Sequence, residues 1–202
     1  MVGWVKLVIY KSLQIKVQKF DSKNEKLLIE TLNNIFKKNK NVIEKTRIEL
    51  SNYGIKLIVQ SHPEKCPVDG ISFWSNGNPA IGITIRHKRI DNFAFTIMHE
   101  LGHVFRHLVN NNTAEFIDLE KEYRTNEYKN SKEEMEANEF SRNALIDKAA
   151  WAAFMDENPF FEEAAIVSFS NKQKVHPAIV QGRFCYETDC FNIRSSIQKT
   201  LG

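Results

Sequence analysis

Cysteine is scarce in this chain: three residues in 202, an odd number and too few for the disulfide framework on which small secreted domains rely. Proline (five) and glycine (eight) are also sparse, which excludes collagen-like and low-complexity architectures. Long uncharged apolar runs are missing. In residues 1–20 the apolar character is broken by Lys6, Lys11, Lys16 and Lys19, which argues against both a signal-peptide core and a membrane span. Nor does one sign of charge dominate, with 28 basic residues against 25 acidic and a net charge of +3. Lys37, Lys38 and Lys40 cluster without any arginine or aromatic pattern beside them, so a solvated helix end is expected there rather than direct nucleic-acid binding. What remains is the composition of an ordinary cytoplasmic domain, 42% hydrophobic, long enough for one core and too short to require two.

Against this background the string His99-Glu100-Leu101-Gly102-His103 stands out. Residues four apart on a helix project side by side, so His99 and His103 can hold one zinc ion while Glu100 faces the water that the ion activates. The neighbours favour a helix: Phe93, Ala94, Phe95, Ile97, Met98, Leu101, Val104, Phe105 and Leu108 are apolar on several faces, Asp91 or Asn92 is a candidate N-cap, and Asn110, Asn111 and Asn112 end the run. Two imidazoles and a carboxylate in so apolar a helix call for a cation or hydrogen-bond partners. The metzincin pattern fails, because Arg106 and Val109 stand where a glycine and a third histidine would be needed.

A third ligand must then come from elsewhere, and residues 131–146 offer a second helix. Ser131 followed by Glu134 fits a capping box, and Ala137, Phe140, Ala144 and Leu145 form an apolar stripe. Glu133, Glu134 and Glu136 compete for the ligand role, the others reading, with Glu139, as solvated helix surface.

The segment Glu134-Met135-Glu136-Ala137-Asn138-Glu139-Phe140, paired with the His-Glu-x-x-His helix, resembles the signature of the ImmA/IrrE family of metallopeptidases. The resemblance implies a small zincin-like, minimal gluzincin core with His99, His103 and Glu134 as ligands of Zn²⁺ and Asn138, one turn on, supporting the site. Residues 78–90 and 175–184 are similar to segments that flank the core in relatives, so the likeness covers about 53–184. Two departures stand out. Leu145-Ile146-Asp147 replaces a Leu-Leu-Met-Pro-like turn, and the roughly fifty residues before the core do not read as the helix-turn-helix domain that many relatives carry. The resemblance further implies a regulatory peptidase acting on a helix-turn-helix repressor of the Xre type. The alternative is a toxin or antitoxin component that binds a separate Xre-like partner, and no membrane partner is expected.

The remaining expectations are structural. An α+β fold is expected, with a mostly antiparallel sheet over 55–85 backed by the two motif helices, a strand within 1–20, helix over 21–50 and helical cover over 150–170 anchored by Trp151 and Phe154. One domain spans 1–202, divided into a front extension (1–50), the core (51–150) and a C-terminal extension (151–202). Strand 80–85 is expected at a sheet edge that receives an extended peptide, with Phe73 and Trp74 either lining a pocket or filling the core. Residues 110–130 read as a polar, mobile rim. His176, next to Pro177, is a candidate to contact a substrate carbonyl or oxyanion, with a capped turn as the plainer reading. His62, His87 and His107 read as ordinary histidines, with His107 placed to support His103. Cys185 and Cys190 lack a zinc-knuckle spacing and read as reduced thiols, bridged only if 186–189 form a turn.

Overall fold

The computed structural model describes residues 1–61 and 66–202, with Lys121 and Lys129 in backbone only; His62 lies outside the described residues. The chain begins with a helix, α1 (Val2–Gln14), where alternation had suggested a strand. Trp4, Val8 and Ser12 are buried at i, i+4, i+8, a helical stripe, whereas the alternating Leu13, Ile15 and Val17 straddle the helix end, where Ile15 turns extended. Lys56 staples this end of α1 to the sheet: its buried Nζ donates to the carbonyls of Ser12 (3.0 Å) and Ser75 (3.1 Å).

The single helix expected over 21–50 is two, α2 (Glu25–Lys38) and α3 (Val42–Asn52), because Asn39 and Asn41 both adopt the left-handed conformation that asparagine tolerates. Strands β1 (Lys56–Val59), β2 (Val68–Ser75) and β3 (Asn78–Ile83) follow, the last two joined by a tight Asn76-Gly77 turn with positive φ at both residues. Next come α4 (Ile90–His103), a π-helical turn (Val104–Leu108) and β4 (Glu115–Leu119). Helices α5 (Asn126–Lys129), α6 (Lys132–Leu145), α7 (Lys148–Glu157), α8 (Glu163–Gln173) and α9 (Pro177–Glu187) complete the order.

The fold is α+β, and its sheet is mixed. The order is β1-β3-β2-β4, with β3/β2 and β2/β4 antiparallel and β1/β3 parallel. Strand β3 is therefore interior, contrary to the edge position expected of 80–85. Its burial is continuous from Pro79 to Ile83, as in a strand flanked on both sides and covered on both faces. The outer strands are β1 and β4, and the second lies within the stretch expected to be a mobile rim.

Two apolar layers hold the sheet. One face packs on α1 through Trp4, Val8, Ile71, Phe73 and Ala80. The other packs on α4 and the helices around it through Leu57, Ile81, Ile97, Met98 and Leu101, with Trp151 and Phe154 buried as expected. Helix α4 starts two or three residues earlier than anticipated. Arg89 is its N-cap without a side-chain cap bond, and the Ile90 amide donates to the carbonyl of Lys199 (2.9 Å) in the returning C-terminal segment. Among the described residues no helix is long and apolar enough to cross a membrane.

Candidate metal centre

Helices α4 and α6 cross where both carry small residues. A methyl group at Gly102 would stand 2.9 Å from the Cα of Ala137, so this pairing lets the two backbones approach closely. At the start of α6 the expected capping box is half made: the Ser131 hydroxyl accepts from the Glu134 amide (3.3 Å), while the Glu134 side chain leaves the box and reaches the histidines of α4.

The ligand atoms converge. His99 Nε2 and His103 Nε2 are 3.1 Å apart, and Glu134 lies 3.5 Å from the first through Oε2 and 3.3 Å from the second through Oε1. A tetrahedral ion with bonds of about 2.1 Å separates its ligand atoms by about 3.4 Å, so the three groups are spaced as a shared divalent ion requires. All three are buried. Of the competing glutamates, Glu133 is exposed, Glu136 turns to His107 and Glu139 pairs with Lys148. The residues fit a metal: two ring nitrogens and a carboxylate oxygen meet in a buried space at the spacing one shared ion sets.

Electrostatics at the centre are strong. Burial lowers His99, but the carboxylates of Asp118, Glu134 and Glu100 outweigh it and raise its pKa to about 9 in the metal-free chain. Burial dominates Glu100 and raises it to about 8. His103 is lowered, chiefly by burial. Burial works against Glu134 too, yet its bonds to the two histidines hold it well below the usual carboxylate range.

Glu100 is fully buried. Its Oε2 accepts from the Ser72 hydroxyl on β2 (2.5 Å), and its Oε1 has no partner among the described residues. The carboxylate rests against Gly70, where a methyl group would stand 2.0 Å from Oε1. An orphaned buried carboxylate oxygen costs about 1–3 kcal/mol and calls for an explanation.

Around this centre lies a ring of groups absent from the sequence reading. Phe116 of β4 stacks on the His103 ring, centroids 4.5 Å apart and planes at 12°. Asp118 is buried and accepts from Arg124 (2.8 Å). Tyr128 donates to the carbonyl of Ile117 (2.9 Å), and Arg124 donates to that of Leu119. Burial, together with the charges of Asp118 and Glu134, raises the Tyr128 phenol. The aromatic and acidic residues of 115–128 were the available signal, hidden by the polarity of their surroundings.

Other candidates fall elsewhere. His176 caps α9, its Nδ1 accepting from the Ala178 amide (3.2 Å), and feels the charge of Asp91 in the first turn of α4, eight residues before His99 and so about 12 Å away along the axis. The structure does not bring it to the ligand triad. Asn138 is half-buried one turn beyond Glu134, and the His103 Nδ1 is taken by His107. Phe73 is buried on the α1 side of the sheet, and Trp74 packs edge-on against Phe20. Cys185 is buried, Cys190 exposed, and both thiols are free, although the Cys190 amide closes a turn onto the Cys185 carbonyl (3.1 Å). Arg106, at the position that excluded a metzincin, forks onto Glu25 of α2 with two 2.7 Å bonds.

A four-stranded mixed sheet backed by a His-Glu-x-x-His helix, with a glutamate from a second helix closing the triad, is a small zincin-like core. Residues 52–165, more than half of the chain, match the family described as IrrE N-terminal-like domain (Peptidase M78), and the chain belongs to that peptidase family. No curated protein matches the chain. Membership supports a metallopeptidase-type function and agrees with a triad that fits a divalent metal.

Proposed function

We propose that the chain is a zinc-dependent endopeptidase in which His99, His103 and Glu134 hold the ion and Glu100 is the general base. The observation that carries this reading is the pairing of three converging ligand atoms with a buried carboxylate that keeps one oxygen free. When bound, zinc supplies Lewis-acid polarisation of the scissile carbonyl and lowers the pKa of water toward about 7. The rest falls to the chain's own residues. Ser72 holds Oε2, which leaves Oε1 to take the proton from the attacking water and hand it to the departing amine. Burial sets the Glu100 carboxyl at about 8, and a cation beside it shifts it back toward neutrality, the range in which one group can both accept and release a proton.

The substrate is an extended segment of a regulatory protein, a helix-turn-helix repressor on the strength of the family likeness. It lies along β4, the outer strand next to the triad, by backbone pairing. The carbonyls of Ile117 and Leu119, two residues apart and so on one side of the strand, are held by Tyr128 and Arg124, and an incoming strand exchanges those side-chain donors for its own amides.

The test compares cells expressing the wild type and Glu100→Gln, with new protein N-termini catalogued by mass spectrometry and metal content measured on both purified forms. New termini in a repressor with the wild type alone, at equal metal content, support the reading. Identical termini in both, or equal biological effects of both forms, would move the function to binding a partner.

A further inference from the structure

The hydrogen bonds behind His103 continue beyond the metal ligands. Its Nδ1 lies 3.1 Å from Nδ1 of His107, and the Nε2 of His107 lies 3.0 Å from Oε2 of Glu136. We propose that His107 and Glu136 are positioning residues that fix the tautomer and ring orientation of His103; the inference rests on the reading of the triad as a metal centre.

Proton counting carries it. The His103 nitrogen that faces Glu134 and His99 must be bare to bind an ion, so the ring proton sits on Nδ1 and is donated to His107. The His107 Nδ1 must then be bare, which puts its own proton on Nε2, and that N–H needs an acceptor. Glu136 is that acceptor. Without it His107 is free to carry its proton on Nδ1, and two N–H groups would meet head-on across 3.1 Å. The carboxylate thus selects, through two rings, the form of His103 that can bind metal, as outer carboxylates do for ligating histidines in general.

Packing holds the relay in place. Phe116 stacks on His103 and leans on His107, centroids 5.1 Å apart. The π-helical turn, with the Val109 amide reaching back five residues to the Val104 carbonyl (3.3 Å), carries His107 under His103, and such widened turns recur at functional sites. Glu136 has another partner in Lys132, one turn earlier on α6, but that contact is loose at 3.7 Å, and the shorter bond goes to His107.

The test titrates Zn²⁺ against a competing chelator in the full chain, wild type beside His107→Ala, Glu136→Ala and Glu136→Gln, with ¹⁵N-histidine NMR of the zinc-loaded forms and a thermal melt of each. His107→Ala is expected to weaken zinc binding about 10–100-fold and Glu136→Ala about 3–10-fold, with Glu136→Gln, which can still accept, nearer the wild type. NMR should show His103 protonated on Nδ1 and His107 on Nε2, with mixed His107 tautomers in Glu136→Ala at an unchanged melting temperature. Affinities within about twofold of wild type in both alanine variants, or His107 protonated on Nδ1, would overturn the relay. Should His107→Ala fail to fold, the half-exposed Glu136 position decides the matter. A wild type that binds no zinc overturns the metal-centre reading itself, whereas zinc bound equally by all forms overturns the relay alone.

Discussion

Two buried carboxylates stand at opposite ends of α4 and are kept in opposite ways. Asp91, in the first turn, is 3% exposed and has both oxygens engaged by the Arg89 guanidinium, Oδ1 from Nε at 2.9 Å and Oδ2 from Nη2. Glu100, near the other end, is completely buried and has one oxygen on Ser72 and the other, among the described residues, on nothing. Each rests against a glycine that makes its room: a methyl at Gly182 of α9 would stand 2.7 Å from Asp91 Oδ2, as one at Gly70 would crowd Glu100 Oε1. Burial and close packing are therefore common to both. What differs is satisfaction, and a fold that neutralises one carboxylate completely while leaving spare acceptor capacity on the other marks the second as the working group.

Substitutions can break this contrast, and the largest effect is expected at Glu100. Glu100→Gln should lower turnover of a cleaved peptide by about 10²–10⁴-fold with metal content retained, while Asp91→Asn leaves turnover within about twofold; a fluorogenic assay with metal analysis reads both. Gly70→Ala should come next. Its methyl displaces the Glu100 carboxylate, so activity falls by more than about tenfold together with a stability loss of about 1–3 kcal/mol, whereas Gly182→Ala loses similar stability and keeps its activity. Asp91→Asn should cost about 1–2 kcal/mol in denaturant unfolding, since the Arg89 side chain it leaves is 40% exposed and can return to water.

A pH dependence of the metal-free chain probes the same group without a substrate. His99, raised from 6.5 to about 9, contributes stability that is fully present below 6.5 and lost as pH rises to 9. Glu100, raised from 4.5 to about 8, binds its proton more tightly folded than unfolded, so its contribution also declines, between 4.5 and 8. His103, lowered by burial, acts in the opposite sense near its ordinary value, but the two raised groups outweigh it: the melting temperature of the metal-free wild type should fall from pH 5 to 9, and in Glu100→Gln the decline should begin only above about pH 6.

Much of the centre was legible because its information is local. His99, Glu100 and His103 sit within five residues of one helix, and Ser131 announces the helix that carries Glu134. Of the relay behind His103 only His107, one turn on, was legible; its pairing with Glu136 exists only where the turn after α4 meets α6, and no spacing within either element reports that meeting. Strand β4 escaped for another reason. Glu115 to Leu119 alternates weakly amid polar neighbours, and its place is set by pairing with β2 and by Phe116 against the histidines rather than by its own propensity. At the front, Trp4, Val5, Val8 and Ile9 carried a helical stripe, but the alternation beyond Leu13 masked it. The interior place of β3 was written in its unbroken apolar run.

Everything proposed for this centre depends on one divalent ion sitting among His99, His103 and Glu134. Crystals of the zinc-reconstituted chain, measured above and below the zinc absorption edge, test it directly. A single anomalous peak is expected in bonding reach of His99 Nε2, His103 Nε2 and a Glu134 oxygen, lost in Glu134→Ala; no peak there, or one held by other side chains, would rule the shared ion out.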